Sequence, residues 1–554
     1  MCDILGDGIT YDRQEDIPVL NSFLTLGQCV VHVRPDSAWE GKEFGFDWIR
    51  INDSGIKGDV PYHKNVGRYR NQTNENSTSG PFDAQAPLFQ NLTQTYFPED
   101  KRIVWKWEST HGDNDQDRLN KEARFRYYIP VMTLQKGSTA SLNLIVEMDT
   151  TRTAPDRIDI STSGEPGIIF SLSTSQLTGF DNNSNHPLTV KCNQDTMDEQ
   201  YILFEAVYAN ATTGEEEKHI CGMVRILPNY RKRKLKVLFV RMSFNDQAGE
   251  LIDGTRNEDH INYAKRILKQ AMIELDYNTT PVNYFMEDTH PLRSTLLKNY
   301  SGGVFTQEGS LKGLIFSSYS LYKYLSDQKI LKKYKDHIIV VFLGADCKTS
   351  NGFSPGSTSH FDPSHTINLY DSSGKHTSQI ESNAGGAVLM FGTTYTTQET
   401  LVHEILHAAG LKHSFANSSP YTYKGTLTDN IMDYSHNARP AVPRIATWQW
   451  QWRILWDYID RLTKLENDAL AAEIAALGLP NDSEEYFNSL IEQMRTRIEE
   501  QKMKQIEEQM KNGTPDILDE MSKKIEMTLK EELHKDKTNR SLRVLIDAFN
   551  KRKG

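Results

Sequence analysis

The 554-residue chain is 38% hydrophobic and 25% charged, the balance of a soluble globular protein with room for about three or four domains. Its net charge of −11 argues against a nucleic-acid binder, and no apolar run approaches the roughly 20 residues of a membrane span. Five scattered cysteines, Cys2, Cys29, Cys192, Cys221 and Cys347, argue against a disulfide framework.

Met1 to Asp7 carries neither a basic n-region nor an apolar h-region, so synthesis in the cytoplasm without an ordinary signal peptide is expected. Residues 1–130 read as a β-rich N-terminal domain, with strand-like alternation at Cys29 to Val33 and Ile103 to Trp107. The aromatics between Trp39 and Arg50 are expected to fill a small β core rather than form a docking face. Residues 131–228 continue the strand signal at Leu142 to Val146, Ile168 to Phe170 and Tyr201 to Tyr208, separated by Ser, Asn and Gly turns. That spacing suggests an immunoglobulin-like sandwich. Cys192 and Cys221 fall within it and read as two buried thiols, with a disulfide as the alternative. The polar, basic run Pro228 to Lys234 reads as a linker.

From residue 229 to 455 the pattern becomes α/β. Leu235 to Val240 and His337 to Leu343 are apolar strands, and Gly385 to Phe391 is a third. Apolar residues at Ile261, Ala264, Ile267, Leu268, Ala271 and Leu275 predict a helix over Glu258 to Leu275. The segment is expected to hold its own core and fold alone. Residues 456–554 are charged and helical. Phe487, Ile491, Met494 and Ile498 recur every three or four residues, as do Met503, Ile506 and Met510, and Pro480 and Pro515 separate helices. An ordinary helical cap is the plain reading and a partner-binding coil the alternative.

The chemistry concentrates in one segment, His403-Glu404-Ile405-Leu406-His407-Ala408-Ala409-Gly410-Leu411-Lys412-His413. Histidines at i and i+4 project from one helix face, so both imidazoles reach one cation. Catalytic zinc takes three protein ligands and keeps one position open. Gly410 suits a sharp helix exit at positive φ, which brings His413 round as third ligand. Glu404, next to the first ligand, is placed to take a proton from the attacking water and pass it to the leaving amine. Thr396 to Glu399 reads as a capping box that starts this helix one turn before His403.

This segment resembles the extended zinc motif of the metzincin peptidases, H-E-x-x-H-x-x-G-x-x-H. The resemblance covers about residues 235–455 and implies one Zn²⁺ held by His403, His407 and His413, with Glu404 as general base. It also implies a Met-turn, for which Asn430-Ile431-Met432-Asp433-Tyr434 is suitably placed, with Met432 as an apolar floor under the histidines. Gly410 to Phe415 together with the Met-turn is most similar to the pappalysin-like branch, although this chain has no cysteine after Cys347. Tyr434 stands where some metzincins place a tyrosine that ligates zinc or stabilises the oxyanion. The resemblance further implies a protein or peptide substrate bound in extended form against Ala387 to Phe391 as the edge strand. His360, Asp362 and His365 offer ligand types for a second metal, but with no second half in view they read as a polar loop.

The opening residues loosely resemble bacterial type VI secretion cargo. That likeness implies a secreted effector or toxin exported by a signal-independent route, with a secretion-machinery partner for the N-terminal region. A free intracellular processing protease and an inactive zinc-stabilised binding module are the alternatives.

Overall fold

The computed structural model describes residues 29–96, 128–306 and 334–476, apart from 74, 149–152, 165–166, 210–212, 289–292, 299, 335, 350–351, 355, 360–364, 371–375, 383–385 and 393–396. The protein is multidomain and strand-rich, with a few helices and a helical C-terminal region. The chain divides into two compact units, Met1–Lys464 and Leu465–Gly554.

Strict alternation builds a two-sheet sandwich. In β1 (Cys29–Pro35) the side chains of Cys29, Val31 and Val33 are buried. The first sheet contains β1, and the second contains β2 (Gly45–Asp47) and β3 (Val131–Thr133). In β4 (Thr139–Met148) Ala140, Leu142, Leu144 and Val146 point to the same interior, as period-2 side chains must. The other strands are β5 (Arg157–Thr162), β6 (Phe170–Leu172), β7 (Gln176–Leu177), β8 (Ser184–Cys192), β9 (Gln200–Ala209) and β10 (Glu216–Ile226). The sheet orders are β1-β4-β8-β6 and β2-β3-β10-β9-β5-β7. Trp39, Phe44, Phe46 and Trp48 are all buried in this core, as the aromatic stretch suggests. Cys192 and Cys221 are both buried free thiols. Cys221 neighbours Cys29 instead, whose thiol contact adds to the burial that raises the Cys221 pKa.

The expected division at residue 130 does not separate two cores. β1 pairs antiparallel with β4 (Cys29 opposite Met148), and β2 pairs antiparallel with β3 (Phe46 opposite Met132). Between β2 and β3 the chain leaves the sandwich for a strand, Val66–Tyr69, and a helix, α1 (Ala86–Gln94). Val66–Tyr69 pairs with Thr422–Tyr423, nine and ten residues past the last histidine of the motif, so N-terminal sequence is built into the part that carries that motif. Asn229, inside the expected linker, is buried, and its amide donates to Leu134 O (3.0 Å) and Cys192 Sγ (3.2 Å).

The α/β part is a mostly parallel sheet around β11 (Arg233–Asn245). On one side lies β12 (Leu251–Asp253), with β13 (Ile273–Tyr277) and β14 (Val282–Met286) also paired to β11. On the other lie β15 (Ile338–Leu343), β17 (Ala387–Met390) and, at the end, β16 (Gly356–Ser359). β15 and β17 are buried along their whole length, as parallel strands covered on both faces must be. One face, with Val237, Phe239, Val340 and Val388, packs in a core with α2 (Glu258–Gln270) and α3 (Gln398–Ala408). Tyr62, Val66, Phe89, Leu92 and Tyr96 join the same core, as does Trp448 just before α4 (Gln449–Ala476).

Two expectations are corrected here. The helix from Glu258 stops at Gln270; Met272 takes φ +58°, and Leu275 lies on β13, where it is buried as a strand residue. Ala387 to Phe391 is not an edge strand: β17 pairs parallel with β15 and antiparallel with β16, so its main-chain groups are used on both sides. The edge is Gly356–Ser359, which no other strand pairs among the described residues. The helical repeats from Phe487 to Met510, Ile103 to Trp107, the opening residues 1–28, and His360 and Asp362 lie outside the described residues. Among the described residues no helix is long and apolar enough to cross a membrane.

Candidate metal centre

Helix α3 begins one residue later than the capping pattern suggests. Thr397 is the N-cap and Thr400, not Glu399, closes the box, its hydroxyl accepting from the Thr397 N–H at 3.2 Å. The helix ends in a Schellman turn. The Gly410 N–H donates to His407 O (2.9 Å) and the Leu411 N–H to Leu406 O (2.9 Å). Gly410 takes φ +94°, the conformation that its lack of a Cβ permits. The chain therefore reverses within three residues and returns His413 to the face that carries His403 and His407.

The three imidazoles converge through their Nε2 atoms. The separations are 3.1 Å for His403 and His407, 3.0 Å for His407 and His413, and 3.3 Å for His403 and His413. His403 Nδ1 donates to Ile431 O (2.9 Å) and His407 Nδ1 to Leu411 O (2.7 Å). A carbonyl can only accept, so in the neutral rings both protons sit on Nδ1 and both Nε2 lone pairs face inward. Burial, reinforced by His407, His413 and Arg444, holds His403 well below the ordinary imidazole pKa. Burial with His407, Lys412 and Arg444 does the same for His413. These rings are neutral near pH 7, and His403 and His407 present lone pairs to each other at contact distance, an arrangement that a cation between them relieves. The triad could hold a metal ion.

The segment Asn430 to Tyr434, expected to form a Met-turn, meets the triad where Ile431 O accepts from His403 Nδ1. Met432 is fully buried, its N–H donating to Asn430 Oδ1 (2.9 Å) and its carbonyl accepting from the Ser414 N–H (3.1 Å), next to His413. Tyr434 packs its ring 4.6 Å from His413 and 6.0 Å from His403, and Phe415 stacks on His413 at 4.7 Å with 8° between planes. Glu404 is half-buried on α3, one residue past His403.

Sequence reasoning missed the residues that hold this turn. The buried Asp433 carboxylate accepts from the N–H groups of Thr426 (2.7 Å), Thr428 (2.9 Å) and Tyr434 (2.7 Å) and from the Thr428 hydroxyl (2.7 Å). Asn430 and Gln451 exchange reciprocal amide bonds of 2.8 and 3.0 Å. Asp429 forms a wholly buried ion pair with Arg50 at 2.9 Å. Asp433 stands inside the motif and is the one that a search for buried acceptors near the Met-turn could find; Arg50 has no local signal at all. No family model matches the chain, and no curated protein matches it either.

Proposed function

We propose that the protein is a zinc-dependent endopeptidase of metzincin type. The observation that carries this reading is the Nε2 triangle with two of its outward nitrogens, those of His403 and His407, tied to carbonyls. Zinc bound tetrahedrally at 2.0–2.1 Å from nitrogen sets ligand nitrogens roughly 3.3 Å apart, close to the 3.0–3.3 Å found here. Zinc, when bound, polarises a peptide carbonyl and makes water a better acid. The chain's own residues do the rest. Glu404 takes a proton from the attacking water and delivers it to the leaving amine. Tyr434, packed on two of the ligands, donates its hydroxyl to the oxyanion. An extended peptide adds antiparallel to the outer edge of β16 and gains main-chain hydrogen bonds there.

The test is a set of three variants. Purified protein carries about one zinc per chain, and chelation abolishes peptide cleavage. Glu404→Gln keeps the metal and lowers kcat at least about 100-fold. His403→Ala loses metal and activity together, and Tyr434→Phe lowers kcat about tenfold at unchanged zinc content. A Glu404→Gln protein, free of contaminating protease, that cleaves at the wild-type rate refutes the assignment.

A further inference from the structure

Arg444 lies on the stretch that returns from the Met-turn. The Ile445 and Ala446 N–H groups donate to Asp429 O at 2.8 and 2.9 Å, and Asn430 bridges to Ala446, so this stretch runs directly beside the turn that carries Met432. The loop before it is closed at its base, where Ser435 O accepts from the Val442 N–H at 3.1 Å. Tyr434, which packs on His403 and His413, is the residue from which that loop departs.

The Arg444 side chain is only 6% exposed, yet poorly partnered. Nη2 reaches Thr397 Oγ1 at 3.4 Å and the Glu399 carboxylate at 3.8 Å, a long hydrogen bond and an ion pair without one. Its Nε and Nη1 have no partner among the described residues, and neither is sealed from solvent. Arg50 is the contrast: its three side-chain nitrogens are sealed, and Asp429 Oδ2 lies 2.9 Å from Nη1. Thr397 and Glu399 sit on the part of α3 just before His403. Thr397 is six residues before His403, so the guanidinium sits ~9 Å along the helix from that nearest ligand at 1.5 Å per residue. That is about the reach of one extended side chain. The Arg444 charge is also felt at His403, His413 and His436, lowering the pKa of each.

A buried guanidinium with unused donors is a strong, planar receptor for a carboxylate, which it can bind in bidentate fashion. Glu399, at 3.8 Å, balances the charge without filling that role. We infer that Arg444 sets the substrate class of this site: it receives an Asp or Glu side chain of the peptide next to the bond that is cut. This rests on the peptidase reading above. Glu399 then acts as a weak competitor that an incoming carboxylate displaces.

The experiment uses the full chain loaded with zinc and a library of peptides varied at the two positions flanking the scissile bond. The wild type should cleave peptides with Asp or Glu at one of these positions at least about tenfold better, in kcat/KM, than those with Asn or Gln. Arg444→Leu should erase that preference while retaining zinc, Arg444→Glu should shift it towards Lys or Arg, and Glu399→Gln should strengthen it. Cleavage by the wild type with no acidic preference overturns the inference and leaves the peptidase reading standing. Cleavage of no member of the library overturns both. Because the wild-type profile alone decides, a poorly folding Arg444 variant does not rescue the idea.

Discussion

Replacing Asp433 by Ala tests whether the Met-turn is held by one carboxylate. The substitution strips the acceptor from three backbone N–H groups, those of Thr426, Thr428 and Tyr434. Thr428 is fully buried, so its orphaned N–H costs about 1–3 kcal/mol, whereas the half-buried Thr426 and Tyr434 can recruit water and lose less. Thr426 is also held at φ +68°, a strained conformation for a β-branched residue that the Asp433 bond helps to impose. Relief of the buried charge offsets part of the loss, since burial raises the Asp433 pKa. The net expectation is a loss of about 3 kcal/mol, read by urea unfolding of the chelator-treated protein. Movement of the turn also moves Ile431 O, the acceptor that orients His403, so zinc affinity by chelator competition should drop about 10- to 100-fold. Asp433→Asn, which keeps one acceptor oxygen, should fall between. A loss below about 1 kcal/mol with unchanged zinc affinity would refute the assignment of Asp433 as the anchor.

Gly410→Ala forces a Cβ into φ +94° and should cost about 1–2 kcal/mol, seen as a lower melting temperature. Because the Schellman turn positions both His407 and His413, zinc should also stabilise this variant less than it stabilises the wild type. Burial pushes the Asp47 carboxyl up to about 6, with Tyr96, Gln449 and Arg50 opposing the rise only in part. Its folded pKa exceeds the unfolded one, so the stability it contributes is present below about pH 4 and is lost as pH rises through about 6. The gain in melting temperature from Asp47→Asn should therefore be larger at pH 7.5 than at pH 5. Subtracting the wild-type melt at each pH cancels the opposite contribution of His403 and His413; a gain that shrinks with pH contradicts the assignment. Finally, a fragment of residues 229–464 should fail to fold while one of residues 29–464 is soluble and cooperative. Tyr62, Val66, Phe89, Leu92 and Tyr96 are buried in the core that α3 shares, and at about 2 kcal/mol each their removal costs about as much as a whole domain's stability. Cooperative unfolding of the shorter fragment by circular dichroism would refute the shared core.

The convergence of His403, His407 and His413 was legible because its geometry is local. An i, i+4 pair on a helix and a glycine exit place three imidazoles by backbone rules alone, and Gly410 adopts the positive φ that its position implies. The alternation in β1 and β4 was legible for the same reason. Where two periods fit the same residues, sequence reasoning failed. Ile267, Ala271 and Leu275 suit a helix, but Ile273 and Leu275 equally suit a strand, and pairing of β13 with β11 decides between them. The edge strand was missed because Gly356-Ser357-Thr358-Ser359 has no apolar residue to announce it. Only its antiparallel register against β17 identifies it. A short polar strand is also what keeps an open sheet edge from self-association.

The partition at residue 130 failed for a different reason, which Gln270 makes plain. This fully buried residue ends α2, and its carboxamide nitrogen donates to Gly41 O (2.8 Å) and Ile445 O (2.7 Å). Its side-chain oxygen accepts from Thr447 (2.9 Å from the N–H), while its backbone oxygen accepts from the Thr133 hydroxyl (2.6 Å). One side chain and its own carbonyl thus tie the sandwich to the chain that follows the Met-turn. The glycines of the aromatic stretch serve this junction: a Cβ on Gly41 would lie 2.2 Å from Ile445 O, and one on Gly45 would lie 2.3 Å from Gln270 O. By itself a glycine announces only conformational freedom, a property each has alone. Their actual constraint is close approach of two backbones far apart in the chain, and no window of neighbouring residues contains it. Arg50 obeys the same logic. Its counter-charge, Asp429, comes just before the Met-turn, and a buried pair of this kind costs several kcal/mol to break because the survivor is left as an unpaired charge. The histidine triad is therefore supported from the sandwich side by residues that carry no chemistry of their own, and changes at Arg50 or Gln270 should reach the turn at Met432 through packing and charge rather than through the three histidines.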